Sequence, residues 1–190
     1  MTLTAIVLCG GRSTRMGQDK GALPFGNETM LQRIVRITRT IASDVIVVGR
    51  RDQAGITVHD SVEDQGPLAG IASGLAASKT DLNIVVACDM PLIKTEVLQR
   101  LIDSIGDADI CVAMTEGHAS ALCGVYRSRV AVVAQSLFDS GERRVMPLLD
   151  LVQTKRVDAA LLRDIDPDLE TFVSCDLAAK YQWALSRTEF

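Results

Sequence analysis

Three short apolar runs, each rich in β-branched residues, constrain the fold of this chain more than any other feature. They are 4–9 (TAIVLC), 44–48 (DVIVV) and 82–88 (LNIVVAC). Segments whose apolar residues recur at helical spacing alternate with such runs along the chain. Near-continuous apolar strands that alternate with helices are typical of a mostly parallel sheet with helices packed on both faces. We therefore expect an α/β fold.

Weaker patterns complete the expected order of elements. We predict a first helix capped by Asn27 and a last helix capped by Asp176, because such side chains accept hydrogen bonds from free N–H groups at helix starts. A helix of small residues should begin at Gly66-Pro67, where proline suits the first turn. Further strands are expected at 56–58, 110–114 and 121–126, with a turn at 116–118 and further helices near 95–105 and 130–138.

Size and charge limit the class of protein. With 190 residues, 47% of them hydrophobic, the chain is long enough for one well-buried domain, which we place at 1–190. A formal net charge of -4 argues against a general nucleic-acid partner, because phosphate backbones need a basic face. The chain has no basic leader and no apolar stretch near the roughly 18 residues that span a bilayer. We expect a cytoplasmic monomer with no membrane contact.

The five cysteines do not indicate a disulfide framework or a zinc site. They are scattered, form no CxxC pair, and have only two histidines to accompany them. We interpret them as small apolar residues of the strands.

The loop after the first apolar run, LCGGRSTRMGQDK at 8–20, holds three glycines and three cations. Glycines leave backbone N–H groups unshielded, and Arg12, Arg15 and Lys20 add positive charge, so a polyphosphate is the natural ligand. The spacing from glycine to lysine does not match the Walker pattern, and G-x-G-x-x-G is absent. On these residues alone, a glycine-rich surface turn with solvated cations stays open.

A carboxylate follows the third apolar run, in Cys88-Asp89-Met90-Pro91. Because ligands bind at the carboxyl ends of parallel strands, Asp89 should lie opposite the first loop. A lone Asp there suits Mg2+, a hard cation that keeps several waters and takes other ligands from substrate phosphates. The alternative is a turn former or helix cap, for which Asp-x-Pro is common.

A third stretch, DSVEDQGPLAG at 60–70, combines an acidic residue with a glycine-rich helix start. The predicted helix start offers free N–H groups to an anion or a base edge, and the glycines let a planar ring approach the backbone. The same residues also suit tight packing of a helix against a sheet. Asp60 is suited to contact the ribose or the base of a nucleotide, or simply to start a turn.

Taken together and in this order, LCGGRSTRMGQDK, DSVEDQGPLAGI and CDMP resemble the molybdenum cofactor guanylyltransferase family, often called MobA. The likeness covers most of the chain and is strongest in its first half. GGRSxRMGxDK is specific to this group of nucleotidyltransferases, and GPLAG after an Asp favours its guanine-using branch over the cytidylyltransferases. The resemblance implies a single three-layer domain with a Rossmann-like sheet, with a nucleotide-binding half at about 1–105 and an acceptor half at about 106–190.

The resemblance also implies an enzyme that joins GMP from GTP to molybdopterin, or to its molybdenum-loaded form, and releases pyrophosphate. It implies that Asp89 binds Mg2+ and that Arg15, Lys20 and Asp89 are the catalytic residues. The residues implied to bind the nucleotide are Leu8, Cys9, Gly10, Gly11, Arg12, Ser13, Lys20, Asp60, Gly66, Pro67, Leu68, Ala69, Gly70 and Asp89. Besides these two substrates, transient contacts to other proteins of molybdenum cofactor synthesis are expected.

Two stretches depart from the family pattern, and both lie on the side expected to meet the pterin. Ser120-Ala121 stands where the family often has His-Pro-Leu, and Phe172-Val173-Ser174-Cys175-Asp176 stands where it commonly has Asn-x-Asn-Thr-Pro. A related nucleotidyltransferase that uses CTP or a sugar or alditol phosphate stays open, as does a nucleotide-binding relative without catalysis. Arg143 and Arg144 fit an acceptor phosphate or, more commonly for such a pair, a solvated surface.

Overall fold

A central sheet organises the part of the chain that the computed structural model describes, residues 2–9, 19–49, 57–59 and 66–188. In chain order the strands are β1 (Leu3–Cys9), β2 (Pro24–Phe25), β3 (Glu28–Thr29), β4 (Asp44–Gly49), β5 (Val58–His59), β6 (Leu82–Ala87), β7 (Ile110–Thr115), β8 (His118–Arg127) and β9 (Thr154–Asp158). The helices are α1 (Met30–Thr38), α2 (Pro67–Ala77), α3 (Thr95–Ser104), α4 (Val130–Asp139), α5 (Met146–Leu151) and α6 (Ala178–Ser186). None of the helices in these ranges is long and apolar enough to cross a membrane.

Seven of these strands form one sheet in the order β5-β4-β1-β6-β8-β7-β9, and β2 pairs with β3 in a separate hairpin. The pairs β5–β4, β4–β1, β1–β6 and β7–β9 are parallel. Within this described sheet β8 alone runs against its neighbours, so the other six strands point the same way. The expected mostly parallel sheet is confirmed.

Helices cover both faces of the sheet. Along β1, Ala5 and Val7 belong to one hydrophobic cluster while Ile6 and Leu8 belong to another, because successive side chains of a strand point to opposite faces. The first cluster includes buried residues of α1 and α3, and the second includes those of α2, α4 and α5. The three layers predicted from the sequence are therefore present.

A third, smaller cluster joins the chain just before α6 to the β2–β3 hairpin. Its buried members are Leu23, Phe25, Met30, Leu92, Cys175 and Ala184. Because Cys175 has no exposed surface, the segment that carries it is anchored in this cluster.

Both predicted helix caps are wrong. Helix α1 is capped by Thr29 rather than Asn27: the Thr29 hydroxyl accepts a hydrogen bond from Gln32 N at 3.2 Å, and the Gln32 side chain accepts one from Thr29 N at 2.8 Å. This capping box directly follows the β2–β3 hairpin, so Asn27 lies in the hairpin turn. The N-cap of α6 is Leu177, and the Asp176 carboxylate instead pairs with Lys180 at 2.8 Å.

Several elements differ from their expected bounds. The turn predicted at 116–118 is the two-residue turn Glu116-Gly117, where both residues have positive φ, as tight hairpins require. Strand β8 therefore already begins at His118. The sequence patterns do not predict β9, because Val157 is its one buried residue. The strand expected at 56–58 is found at Val58–His59, and residue 56 lies outside the described residues.

The small-residue helix α2 packs closely on the sheet. A Cβ at Gly74 would lie 2.4 Å from Ile6 Cγ2 and 3.2 Å from Val48 Cγ2, so no larger residue fits without moving the sheet. Tight packing against the sheet therefore explains the glycine in the middle of α2.

The cysteines are all buried, with free thiols. Burial raises the pKa of Cys111 to about 11 and that of Cys123 to about 12, so both stay neutral. Their interpretation as small apolar residues holds, but Cys88 and Cys175 lie in loops rather than in strands.

Tyr126 of β8 lies fully inside the protein beside an irregular part of the sheet. The pairing of β7 with β8 shifts register between Val112 and Met114. The Tyr126 hydroxyl donates a hydrogen bond to the carbonyl oxygen of Ala121, 2.6 Å away. Burial raises the pKa of Tyr126, so the hydroxyl keeps its proton and remains a donor.

We expect Tyr126→Phe to lower the free energy of unfolding by about 1–3 kcal/mol, the usual cost of leaving a buried acceptor without its partner. The matched control is Tyr181→Phe, since the Tyr181 hydroxyl donates to Pro24 O at a partly exposed site where water can replace it. Urea denaturation of both variants measures the difference. Equal losses for the two tyrosines would contradict the role given to burial.

Candidate active site

The candidate site forms where β1 and β6 end side by side. The two strands are parallel neighbours, and their pairing continues beyond β6 because Cys88 N donates to Leu8 O at 2.9 Å. The loops that leave the two strands therefore start at the same edge of the sheet, where open α/β sheets bind ligands. Asp89 is the second residue beyond β6.

Lys20 reaches this edge because its neighbour in the chain has no side chain. Gly21 follows Lys20 in a 3-10 turn, and a Cβ there would lie 2.4 Å from Cys9 Sγ. Glycine is therefore the residue that lets the turn approach the end of β1 so closely. Asp19 caps the turn by accepting a hydrogen bond from Gly21 N at 3.0 Å.

The structure brings Lys20 and Asp89 together. Lys20 Nζ lies 2.8 Å from Asp89 Oδ2, and the two side chains are 25% and 13% exposed. Ser174 Oγ donates a hydrogen bond to the same Oδ2 at 2.8 Å. In addition, Cys175 N donates to the main-chain oxygen of Asp89 at 2.7 Å. Asp89 is therefore held from both the first loop and the segment before α6.

The hydrogen bonds that Asp89 accepts from the described residues are confined to one carboxylate oxygen. Within the described part of the chain, the hydrogen bonds and the ion pair fall on Oδ2 and none falls on Oδ1. The described residues contain no group of three or more His, Cys, Asp or Glu side chains able to hold a metal ion. One free carboxylate oxygen suits Mg2+, which binds through one or two carboxylates and otherwise through water and phosphate oxygens. The residues present fit that kind of site.

The charged groups around Asp89 are paired, and the nearby thiols are neutral. The bond from Lys180 lowers the pKa of Asp176, and the charge of Lys20 acts in the same direction. Burial, reinforced by the Asp89 charge, raises the pKa of Cys175 to about 12. A hydrogen bond to Cys9, together with burial, raises the pKa of Cys88. Among the described residues around Asp89, the fixed charges therefore belong to lysines and carboxylates.

Gly66 caps α2 in a backbone conformation that essentially only glycine adopts, with φ 83° and ψ 171°. A Cβ at this position would lie 2.8 Å from Arg143 O and 3.2 Å from Arg143 Cβ. The start of α2 is therefore packed against the backbone that precedes α5.

A cavity of about 500 Å³ lies between the start of α2 and the second half of the chain. Its lining residues are Gly66, Pro67, Met90, Ala119, Ser120, Ala121, Leu122, Arg143, Arg144, Val145, Met146 and Phe172. Most of these side chains are apolar. Because Met90 follows Asp89 directly, the cavity adjoins the loop that carries the carboxylate.

The two arginines of this cavity have different partners. Arg143 Nη1 donates to the carbonyls of Phe138 and Glu142, both at 2.9 Å, and its guanidinium lies 4.3 Å from the centre of the Phe138 ring. Arg144 pairs with Glu142 at 3.0 Å, yet its side chain is 78% exposed. That ion pair, with two main-chain N–H groups, lowers the pKa of Glu142 to about 2. Arg143 is therefore a structural residue, while Arg144 presents its charge to solvent.

The residues predicted for the site fall into three groups. Lys20 and Asp89 are in contact, and Gly66 and Pro67 are exposed beside the cavity. A second group of predicted site residues is buried, namely Leu8, Cys9, Leu68, Ala69 and Gly70. The predicted site residues that lie outside the described residues are Gly10, Gly11, Arg12, Ser13, Arg15 and Asp60. A ligand at the buried positions would meet main-chain atoms.

Two parts of the site are missed by the sequence patterns. No pattern predicts that Ser174 contacts Asp89, which lies 85 residues away, or that Met90 and Phe172 line a cavity. The one signal available is the departure of 174–176 from the Asn-x-Asn-Thr-Pro pattern, which draws attention to that segment.

Comparison with known families identifies the family to which this fold belongs. The family model described as MobA-like NTP transferase domain matches residues 5–157. The chain belongs to this family. A relative from Flavobacterium johnsoniae named "Probable molybdenum cofactor guanylyltransferase" is 33% identical over 153 residues, which cover 78% of this chain and 80% of the relative. The predicted family and enzyme class, a nucleotidyltransferase, are confirmed.

Solved structures share this MobA-like fold. Molybdopterin-guanine dinucleotide biosynthesis protein A from Archaeoglobus fulgidus superposes with a TM-score of 0.84 at 19% identity, covering 97% of each chain. A protein from Mycobacterium tuberculosis, solved as a complex with manganese, superposes with a TM-score of 0.67 at 16% identity, covering 99% of this chain and 100% of that one. Nucleotidyltransferases of this family generally use a divalent metal.

Gly66→Ala should destabilise the MobA-like fold more than Gly117→Ala does. The two glycines have φ of 83° and 80°, and an alanine at Gly117 costs about 1–2 kcal/mol for positive φ. Gly66, with ψ 171°, lies in a region that essentially only glycine adopts, where an alanine costs about 1–3 kcal/mol. The Cβ added at Gly117 meets no atom within 4 Å, whereas the one at Gly66 lies 2.8 Å from Arg143 O. Overpacking of this kind lowers the free energy of unfolding of Gly66→Ala by a further amount of about 1–3 kcal/mol. Urea denaturation measures the difference, and equal losses would mean that α2 does not press on Arg143.

Proposed function

We propose that this chain transfers GMP from GTP to molybdopterin, or to its molybdenum-loaded form, and releases pyrophosphate. One observation carries the proposal: in a MobA-like fold, the lysine of the first loop and the carboxylate after β6 meet 2.8 Å apart at the carboxyl edge of the sheet. A cation beside a metal-binding carboxylate suits a reaction between phosphate groups. The names of the relatives support the same assignment.

The nucleotide is proposed to lie across the end of β1 and the start of α2. Leu8 and Cys9 have buried side chains, so their main-chain groups would face it. The glycines and arginines of 10–18 are proposed to wrap the triphosphate, because unshielded N–H groups and guanidinium groups bind phosphate oxygens. The first N–H groups of α2 have no partner within the helix and suit an anion or a polar base edge, with Asp60 facing the nucleoside.

The proposed chemistry is an in-line displacement at the α-phosphorus of GTP. A terminal phosphate oxygen of molybdopterin attacks that phosphorus and forms the new P–O–P bond. The bond from the α-phosphorus to the bridging oxygen breaks, and pyrophosphate leaves. Because two anions must meet, the chain contributes mainly positioning and charge neutralisation. Lys20 and Arg15 stabilise the leaving pyrophosphate, so Lys20 exchanges Asp89 for phosphate oxygens when GTP binds.

Asp89 is proposed to hold Mg2+ through Oδ1, the oxygen without a hydrogen bond among the described residues. Bound there, Mg2+ supplies charge neutralisation on the phosphate oxygens. The manganese bound by a structural relative supports a divalent cation, and Mg2+ is the specific ion we propose.

The acceptor is proposed to bind in the cavity beside Gly66. The volume of about 500 Å³ lies within the usual range of small-molecule sites. The apolar side chains of Met90 and Phe172 suit a flat pterin ring. Arg144 suits the acceptor phosphate because its charge is exposed while Arg143 is engaged with main-chain carbonyls.

GTP and molybdopterin are thus the proposed partners, alongside transient contacts to other proteins of molybdenum cofactor synthesis. A cytoplasmic monomer without nucleic-acid or membrane contact also stays a prediction. The division of a single domain into a nucleotide-binding half at 1–105 and an acceptor half at 106–190 is also a prediction, although one sheet contains strands from both halves.

Pyrophosphate release should require GTP, Mg2+ and molybdopterin together. The assay compares GTP, CTP, ATP and UTP, each with and without molybdopterin. A preference for CTP would replace the proposal with a cytidylyltransferase. Release with a sugar or alditol phosphate in place of molybdopterin would indicate the related acceptor class, and GTP binding without release would indicate a relative without catalysis.

Asp89→Ala should abolish turnover, because it removes the proposed metal ligand. Lys20→Ala should weaken GTP binding and lower kcat/KM by on the order of 10²-fold, as expected when one group that stabilises developing charge is lost. Asp103→Ala is the matched control, since Asp103 lies exposed on α3 and its carboxylate bonds to Gln99. Normal turnover of Asp89→Ala with Mg2+ would exclude the metal assignment.

A further inference from the structure

Two hydrogen bonds tie the segment before α6 directly to Asp89. Ser174 Oγ donates to Asp89 Oδ2 at 2.8 Å, and Cys175 N donates to the Asp89 main-chain oxygen at 2.7 Å. Lys20 Nζ lies 2.8 Å from the same Oδ2. The carboxylate therefore has two side-chain donors on one oxygen, and together they fix the orientation of the other oxygen.

Ser174 is the more permanent of the two donors. Its neighbour Cys175 is fully buried in the third cluster, so the backbone that carries Ser174 cannot shift without breaking that packing. The serine hydroxyl is one rotatable bond from this anchored backbone, whereas the Lys20 ammonium ends a flexible four-carbon chain. A short side chain on a fixed backbone loses little conformational entropy by holding a hydrogen bond.

Lys20 must leave Asp89 when phosphates bind, because the proposed function places its ammonium on the triphosphate. Ser174 is then the remaining side-chain donor to Oδ2 among the described residues. Without that donor the carboxylate turns freely, and neither oxygen is held toward a cation.

We propose that Ser174 is a positioning residue for the divalent cation: its hydroxyl holds Oδ2 of Asp89 so that Oδ1 faces the cation in the nucleotide complex. This inference rests on the proposed function, since it requires that Asp89 binds a cation together with GTP. It also gives a role to one of the two segments in which this chain departs from the family pattern.

Loss of the hydroxyl should weaken cation binding by about tenfold, the lower end of the effect of removing a group that orients a metal ligand. In turnover assays the effect should fall on the KM for Mg2+ rather than on kcat at saturating Mg2+. A role in folding alone would not produce that division between KM and kcat.

Mn2+ is the probe for the binding experiment, because its electron paramagnetic resonance signal reports the free ion. The full-length protein with a non-hydrolysable GTP analogue is titrated with Mn2+ as wild type, Asp89→Ala, Ser174→Ala and Ser174→Thr. Ser186→Ala is the matched control, since the Ser186 hydroxyl, on α6, bonds to Trp183 O at 2.7 Å. Thermal melting without metal checks folding, and Ser174→Gly removes the same hydroxyl if Ser174→Ala does not fold.

We expect Ser174→Thr and Ser186→Ala to bind Mn2+ like the wild type and Ser174→Ala to bind about tenfold more weakly. If Asp89→Ala loses Mn2+ binding but Ser174→Ala keeps the wild-type affinity, the inference is overturned and the proposed function stands. Wild-type affinity in Asp89→Ala would instead show that the cation site itself is wrong.

Discussion

The lateral pairing of β1 with β6 is the constraint on which the site depends. The parallel register from Leu3–Leu82 to Leu8–Ala87, extended by the bond from Cys88 N to Leu8 O, makes both loops leave the sheet at the same level. The contact of Gly21 with Cys9 then sets how closely the first loop returns to that edge. Backbone geometry thus brings Lys20 to the Asp89 carboxylate, since a partly exposed ion pair contributes too little energy to fold a loop by itself.

A second contact between glycine and backbone joins the start of α2 to the main chain just before α5. Gly66 starts α2, and its Cα packs against the main chain of Arg143, just before α5. The cavity lies between these elements, so its width depends on the absence of a side chain at Gly66. Ala121, which also lines the cavity, accepts a hydrogen bond from the Tyr126 hydroxyl in the irregular part of β8. The contact at Gly66 is exposed at the surface whereas the Tyr126 hydrogen bond is buried, and both end on main-chain atoms.

The layered sheet could be predicted from the sequence because its buried strands are continuous apolar runs. Such a run identifies a buried strand even where single residues in it vary. Caps and edges were harder to predict, for different reasons. Thr29 and Gln32 do carry the spacing of a capping box, but Asn27 competes for the same role until the β2–β3 hairpin is known. Strand β9 buries only Val157, so its pattern is nearly polar. Ser174 and Asp89 lie 85 positions apart in the chain, so no local sequence pattern can predict their contact.

Charge pairing explains how the site can exchange partners without leaving a carboxylate unpaired. Asp176 pairs with Lys180, one turn further along α6, so its charge is neutralised. Lys20 likewise neutralises Asp89. Under the proposed mechanism, an incoming triphosphate would draw Lys20 away, and a divalent cation at Asp89 would then restore the positive charge beside the carboxylate. The need for a cation would follow from the charge of the nucleotide.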